Sequence, residues 1–330
     1  MPRLTLSIAI GEYDHVTDLV TGRVPVEGID LVVSHLPTEE IFYRSLLHRE
    51  WDISEVSIGK YVALRAAGDD SVTAIPVFPS RAFRHSMFYV REDGGIRSAS
   101  DLIGRTIGIP EWGQTAGIYG RGFLADTAGL PLASIEWVQA GLNDAGRTEK
   151  VKLTLPQGVR LRPEPTRTLN DMLLSGEIDC AMTASPPRAF VQAPGKGIVR
   201  LFPDYRAAEE DWYRATGIYP IMHAVGIRTE VLTRHPWVAM NLYRAFDEAR
   251  RRSMARMDNI GMSHAPLPWL KDTCDRMRAL FGADWFPYGV DANRTTLEAL
   301  CRYAHAQGLA DRALAPEALF APTVLSTFKV

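Results

Sequence analysis

Between Leu4 and Phe202, short strand-like runs alternate with helical ones, and no other feature limits the fold of this 330-residue chain as strongly. LTLSIAI (4–10), IDLVVSHL (29–36), WDISEVSI (51–58), VTAIPVF (72–78), RTIGIP (105–110), IEWVQA (135–140), DCAMT (179–183) and IVRLF (198–202) have the content of short, largely buried strands. TEEIFYRSLLHR (38–49) has helical spacing, with Thr38 as the expected N-cap and Glu39 and Glu40 in the first turn. KYVALRAAG follows the third strand, and a further helix runs from Gln114 to Ala128, stopped by Gly129. Such alternation implies βαβ units and mostly parallel sheets, so the class is α/β. Residues 142–166 are polar and carry Pro and Gly, and are expected as a long loop or short hairpin.

The C-terminal third reads differently. Pro236 suits the first position of a helix, and Val238, Leu242, Ala245, Phe246 and Ala249 share one face of it. More helices are expected at 267–281, 294–307 and 316–326. The ordering predicts two lobes: residues 1–88 plus 221–330 form the first, with the C-terminal helices, and residues 89–220 form the second. The chain crosses between them near FRHSMFYV (83–90) and TGIYPIMHAV (216–225). In such an arrangement the ligand sits in the cleft, at the carboxyl ends of strands.

A net charge of −2 gives no reason to expect nucleic acid or an anionic membrane as partner, so attraction for an anion must be local. No run is apolar for long enough to span a bilayer, and the N-terminal run reads as a first strand, not a secretion signal. Cys180, Cys274 and Cys301 make neither a CxxC pair nor a disulfide framework. Together these features lead to the expectation of a cytoplasmic protein. The helical C-terminal third offers surface for a homo-oligomer.

Candidate residues follow from the cleft. Ser54, Glu55 and Ser57 lie where a strand meets a helix, and the apolar neighbours Ile53, Val56 and Ile58 imply a partly buried Glu55. An ordinary helix cap is the plainer use of Ser54-Glu55. Arg81 and His85 lie at the first crossover. If that segment is extended, alternation puts them on one face and Arg84 on the other, so Arg81 and His85 are expected in the cleft and Arg84 has even odds of being surface charge. Gln114 and Thr115 open a helix, where free backbone N–H groups favour anions. Arg188 follows a strand and the rigid Pro186-Pro187 turn; it could clamp a carboxylate or lie on the surface. His223, in an otherwise apolar strand, is either a satisfied core histidine or the partner of His85 across the cleft. No HxH or HExxH spacing occurs, so a metal is the less favoured use of these side chains.

The stretches GRVPVEGIDL (22–31), HREWDISEVSIGKYV (48–62), IPVFPSRAFRHSMFYV (75–90), DLIGRTIGIPEW (101–112), GEIDCAMTASPP (176–187) and YRATGIYPIMHAV (213–225) resemble the 4,5-dihydroxyphthalate decarboxylase family, with PVFPSRAFRHS and TGIYPIMH the most specific. That resemblance implies a type 2 periplasmic-binding-protein-like fold with the cleft between its lobes. It also implies loss of one carboxylate from a dihydroxylated aromatic diacid to give protocatechuate, with no cofactor and with a small aromatic dicarboxylate as substrate. For that reaction our own reading of the residues has His85 and His223 move protons, with Glu55 as orienter or carbon acid. Arg81 and Arg188 would anchor carboxylates with Gln114 and Thr115, and Ser57 and Tyr13 would line the pocket. A divalent metal held by His85, His223 and Glu55 is the alternative use of those three. A non-catalytic binding protein for aromatic carboxylates, or a decarboxylase of a related acid, is the competing function.

Overall fold

A computed structural model describes residues 3–325. The chain opens with β1 (Leu4–Ile10), α1 (Asp14–Val20), β2 (Ile29–His35), α2 (Thr38–His48), β3 (Ile53–Ser57), α3 (Ile58–Ala66) and β4 (Val72–Ile75). It continues through β5 (Phe88–Arg91), β6 (Thr106–Ile109), α4 (Thr115–Ala128), β7 (Glu136–Gly141), β8 (Arg160–Thr168), α5 (Leu169–Ser175), β9 (Cys180–Met182), α6 (Arg188–Gln192), β10 (Ile198–Arg200) and α7 (Tyr205–Thr216). It then returns with β11 (His223–Arg228) and ends in α8 (Thr229–Arg234), α9 (Trp237–Asp258), α10 (Leu270–Phe281) and α11 (Arg294–Ala306).

Two sheets result. The first has five strands in the order β2-β1-β3-β11-β4, the second six in the order β10-β5-β9-β6-β7-β8. Parallel pairing is less dominant than the alternation predicts. β1–β2, β1–β3, β6–β7, β6–β9 and β7–β8 are parallel, but β11 and β5 run antiparallel to both of their neighbours. Those two strands follow the crossovers, and entering a sheet from the opposite end reverses strand direction. The crossing segments also pair with each other. Arg81 bridges Ile221, Ala82 N donates to Pro220 O at 3.1 Å, and Met222 N donates to Ser80 O at 2.8 Å. The connection between the lobes is therefore a short two-stranded ribbon.

Several local expectations give way to tertiary structure. Residues 160–168 are a nine-residue edge strand, β8, and not loop, because their backbone completes the ladder of β7 although their side chains stay mostly exposed. Helix α7 was not anticipated because YRAAEEDWYRAT carries few strongly apolar residues and buries only Trp212. The expected helix at 316–326 is a pair of 3-10 turns, Pro316–Leu319 and Pro322–Val324, and residue 326 lies outside the described residues. Thr38 begins α2 and does not cap it; Pro37 holds the cap position. Helix α11 packs on both α3 and α4, so the C-terminal segment touches elements that flank both sheets. No helix among the described residues is long and apolar enough to cross a membrane.

Candidate active site

Strand β3 is flanked by β1 and β11, a position in which strands usually read as continuous apolar runs. ISEVS does not, and its Glu55 is completely buried. Pairing explains where that carboxylate goes. In the antiparallel register His223 lies opposite Ser57 and Val225 opposite Glu55, so His223 and Glu55 are diagonal neighbours on one face, within reach of long side chains. His223 Nδ1 meets Glu55 Oε1 at 2.5 Å. Tyr13, just beyond the end of β1, donates its hydroxyl to the same oxygen at 2.6 Å, and Gly11 N donates to Oε2 at 2.9 Å. A Cβ on Gly11 would stand 3.0 Å from the Tyr13 ring and 3.3 Å from Glu55 Oε2, so this close approach needs glycine. Burial, with the Glu55 charge adding to it, raises the Tyr13 phenol above its ordinary range, and it stays a donor.

Glu55 thus stands behind His223 and outside the cleft lining, whereas the imidazole is partly exposed and lines the cleft. With Nδ1 engaged, Nε2 is the nitrogen left for a ligand. The Phe42 ring packs edge-on against the imidazole, centroids 4.8 Å apart.

The cleft has a volume of about 320 Å³. Lys60 enters from the first lobe, Arg84 from the crossing ribbon, and Arg147 and Lys150 from the loop after β7. Glu111, fully buried, lies against Lys60 (2.6 Å), Arg147 (2.8 Å) and Lys150 (3.5 Å). Burial alone would raise its carboxyl, but Lys60 and the other two cations outweigh it and hold the group below its usual range. Even with Glu39, Glu111 and Glu55 set against them, these cations leave the cleft positive. Arg84 differs from the others. It has no carboxylate within 4.0 Å among the described residues, and its Nε faces Met222 Sδ at 3.1 Å. Burial lowers the guanidinium to about 10, which leaves it charged at neutral pH. A half-buried cation without a carboxylate partner is a ready site for an arriving carboxylate, which could accept paired hydrogen bonds from it.

The opposite wall is made where two helices meet. Ser57 Oγ lies 3.0 Å from Thr115 Oγ1, and Gly59 N donates to that same Thr115 oxygen at 3.0 Å. A Cβ on Gly59 would meet Ile118 at 2.5 Å, so glycine permits the contact between α3 and α4. Ser57, Gln114 and Thr115 all line the cleft, with Ala184 and Ser185 beyond β9.

Three expected residues are not brought there. Arg81 is half-buried in the ribbon, where its guanidinium donates to Tyr219 O at 2.9 Å and Pro287 O at 3.4 Å and lies 4.1 Å from the Tyr219 ring centre. His85 is buried among Phe123, Phe202 and Trp212, and neither ring nitrogen has a hydrogen-bond partner among the described residues. Both expectations assumed an extended segment. The chain instead turns at Arg84 (φ −134°, ψ 14°) into a 3-10 turn over His85–Met87, which sends Arg84 to the cleft and His85 to the core. Arg188 begins α6 on the outside, half exposed, with Nη2 donating to Asn143 O at 3.2 Å. His85, His223 and Glu55 therefore do not converge, and no group of three His, Cys, Asp or Glu among the described residues is arranged to hold a metal. Tyr13 borders an adjoining cavity beside Gly11 and His35–Thr38, and reaches the site through its hydroxyl. Lys60, Arg147 and Lys150 were not foreseen. Only Lys60 left a trace, as a lone cation at the start of an apolar helix.

No protein-family model matches the chain. Over 331 residues it is 38% identical to a 4,5-dihydroxyphthalate decarboxylase of Comamonas testosteroni, covering 100% of both chains. The chain belongs to the 4,5-dihydroxyphthalate decarboxylase family. A relative of the same name from Pseudomonas putida is 43% identical over 216 residues, 65% of this chain and 83% of its own. The fold is that of periplasmic binding proteins. The aliphatic sulphonate binding protein SsuA of Escherichia coli superposes with a TM-score of 0.54 at 12% identity, covering 98% of this chain and 99% of its own. The desulfurization enzyme DSZB does so at 0.53 and 18%, covering 98% of each chain. Binder and enzyme share this architecture, so the decarboxylase family's chemistry must lie in its cleft side chains.

Proposed function

We propose that this protein removes one carboxylate from 4,5-dihydroxyphthalate, giving protocatechuate and CO2, with the ring as electron sink and no cofactor. The observation that carries this reading is the imidazole of His223, backed by Glu55 and Tyr13 and facing a cleft lined by Lys60, Arg84, Arg147 and Lys150. Arg84 would take the carboxylate that stays, with Gln114 and Thr115 beside it. Arg147 and Lys150 would stabilise the hydroxyl para to the departing carboxylate as it ionises. His223, held by Glu55, would deliver a proton from Nε2 to the ring carbon bearing that carboxylate. The carbon–carboxylate bond then breaks, its electron pair restores the aromatic ring, and CO2 leaves. The phenolic proton lost at the start is regained at the end, so one proton is consumed for each CO2 released. Glu55 acts as orienter in this scheme, since it has no access to the cleft. We further propose a reducing, cytoplasmic setting, supported by three free, buried cysteines.

The test is CO2 release and ultraviolet change on mixing the protein with 4,5-dihydroxyphthalate, with and without EDTA. Turnover in both samples is expected. Activity abolished by EDTA would overturn the cofactor-free part. A thermal shift with aromatic diacids but no turnover would return the protein to the binding-protein reading.

A further inference from the structure

Behind Phe42 lies a second chamber, of about 40 Å³, between α2, α3 and the first sheet. Its walls are mainly Phe42, Leu46, Val56, Tyr61, Leu64 and Val72. Phe42, Leu46, Ser57 and Lys60 line both this chamber and the cleft, so the two spaces share a wall. Of the polar groups lining it, Ser45 Oγ is buried without a hydrogen-bond partner among the described residues, while the charged ones and Ser57 are matched. Lys60 is paired with Glu111 at 2.6 Å and Ser57 with Thr115 at 3.0 Å, while Arg49 at the far end holds Asp69 at 3.0 Å and Ser71 Oγ at 2.9 Å. A water needs two to four polar partners, and largely apolar walls with an unmatched hydroxyl at Ser45 favour a small molecule without net charge or strong hydrogen-bonding demand instead.

We propose that this chamber receives the CO2. The inference rests on the decarboxylase reading and adds a direction to it. Phe42 touches the chamber on one side and packs against the His223 ring on the other. The ring carbon that His223 protonates would therefore lie beside Phe42, with its carboxylate toward the chamber mouth. The two ends of the cleft then treat the two carboxylates oppositely. Arg84, a cation with no carboxylate partner among the described residues, rewards the charge that stays. The chamber mouth, whose one cation is neutralised by Glu111, disfavours the charge and accommodates the neutral product. As the bond to the ring breaks and its electron pair returns to the ring, the departing group loses its charge and passes from a polar to an apolar surrounding.

Crystals pressurised with xenon, together with kinetics of Leu64→Trp and Val72→Phe, test this. Both substitutions fill the chamber from walls that do not line the cleft. A xenon site is expected in the wild type and lost in the variants, with kcat lowered roughly tenfold and KM for the diacid unchanged. If Leu64→Trp does not fold, Val72→Phe decides. An empty chamber in an enzyme that turns over overturns the proposal. So does a filled chamber with normal kcat, which would make it a packing void. Xenon bound in a wild type that releases no CO2 from 4,5-dihydroxyphthalate would instead sink the decarboxylase reading, and the chamber's role with it.

Discussion

His85 and His223 each sit where the chain crosses between lobes, and their surroundings could hardly differ more. His223 shares a short hydrogen bond with a buried carboxylate and shows its other edge to a cationic cleft. His85 has aromatic rings on three sides, at centroid distances of 4.1, 5.5 and 5.5 Å, and no hydrogen bond to either nitrogen among the described residues. Leaving such a ring unpartnered costs about 1–3 kcal/mol. Edge-on aromatic contacts each return about 0.5–1.5 kcal/mol, so three of them offset the loss if the ring stays neutral. Burial does keep it neutral, lowering the imidazole to about 4. The same residue type lines the cleft, as the proton carrier we propose, where a carboxylate backs it, and is a slab of core where only aromatics do. Glu209 Oε1, 3.9 Å from His85 Nδ1, does not change this, since it accepts instead from the backbone N–H groups of His85 and Ser86.

The sharpest break in that contrast would come from His223→Asn. Turnover should fall by roughly 10²–10⁴-fold with the melting temperature little changed; near-normal kcat in a folded variant would end the assignment. Arg84→Gln should raise KM for the diacid by about ten- to a hundredfold, since a charge-assisted bond to the retained carboxylate is lost. An unchanged KM would mean that Arg84 does not hold the substrate. Tyr13→Phe removes one of the donors to Glu55. A fall in kcat of about fivefold is expected with KM for the diacid unchanged, because Glu55 loses a hydrogen-bond donor and holds the imidazole less firmly. An unchanged kcat would leave Tyr13 a packing residue only.

The smallest effect on activity, within about twofold, is expected for His85→Phe. Its signature is in stability. The unfolded chain binds a proton near pH 6.5 that the buried ring refuses until about 4. The wild type therefore loses stability as pH falls through that window. The variant should match it at pH 7 to 8 and exceed it at pH 5 by about 2 kcal/mol in denaturant unfolding. Glu209, pushed up by burial to about 7, acts in the opposite sense, destabilising as pH rises from 4.5 through 7. It is present in both proteins, so their difference isolates His85. Equal stability at pH 5 would mean that His85 protonates without leaving its cage.

Much of this was legible in the chain. Strand β3 stood out because Glu55 interrupts an apolar run, and His223 because it opens another. Ser57, Gln114 and Thr115 were readable as residues at element ends, where backbone geometry aims side chains at a cleft. Arg81 and His85 were expected in the cleft, with Arg84 left open between cleft and surface. A single 3-10 turn at His85–Met87 instead puts Arg84 in the cleft and His85 in the core. Arg147 and Lys150 gave no signal, because a polar loop carries cations for solubility as readily as for binding.

The sequence by itself determined the α/β class, the two crossovers, the helical C-terminal third and the family, since these rest on periodicity and on residues near one another in the chain. Only the tertiary structure decided which cations meet in the cleft and which histidine meets a carboxylate. Glu55 and His223 are 168 positions apart, and Lys60 and Glu111 come from different lobes. Such pairs are set by strand register and by the approach of one lobe to the other, and no local pattern encodes either.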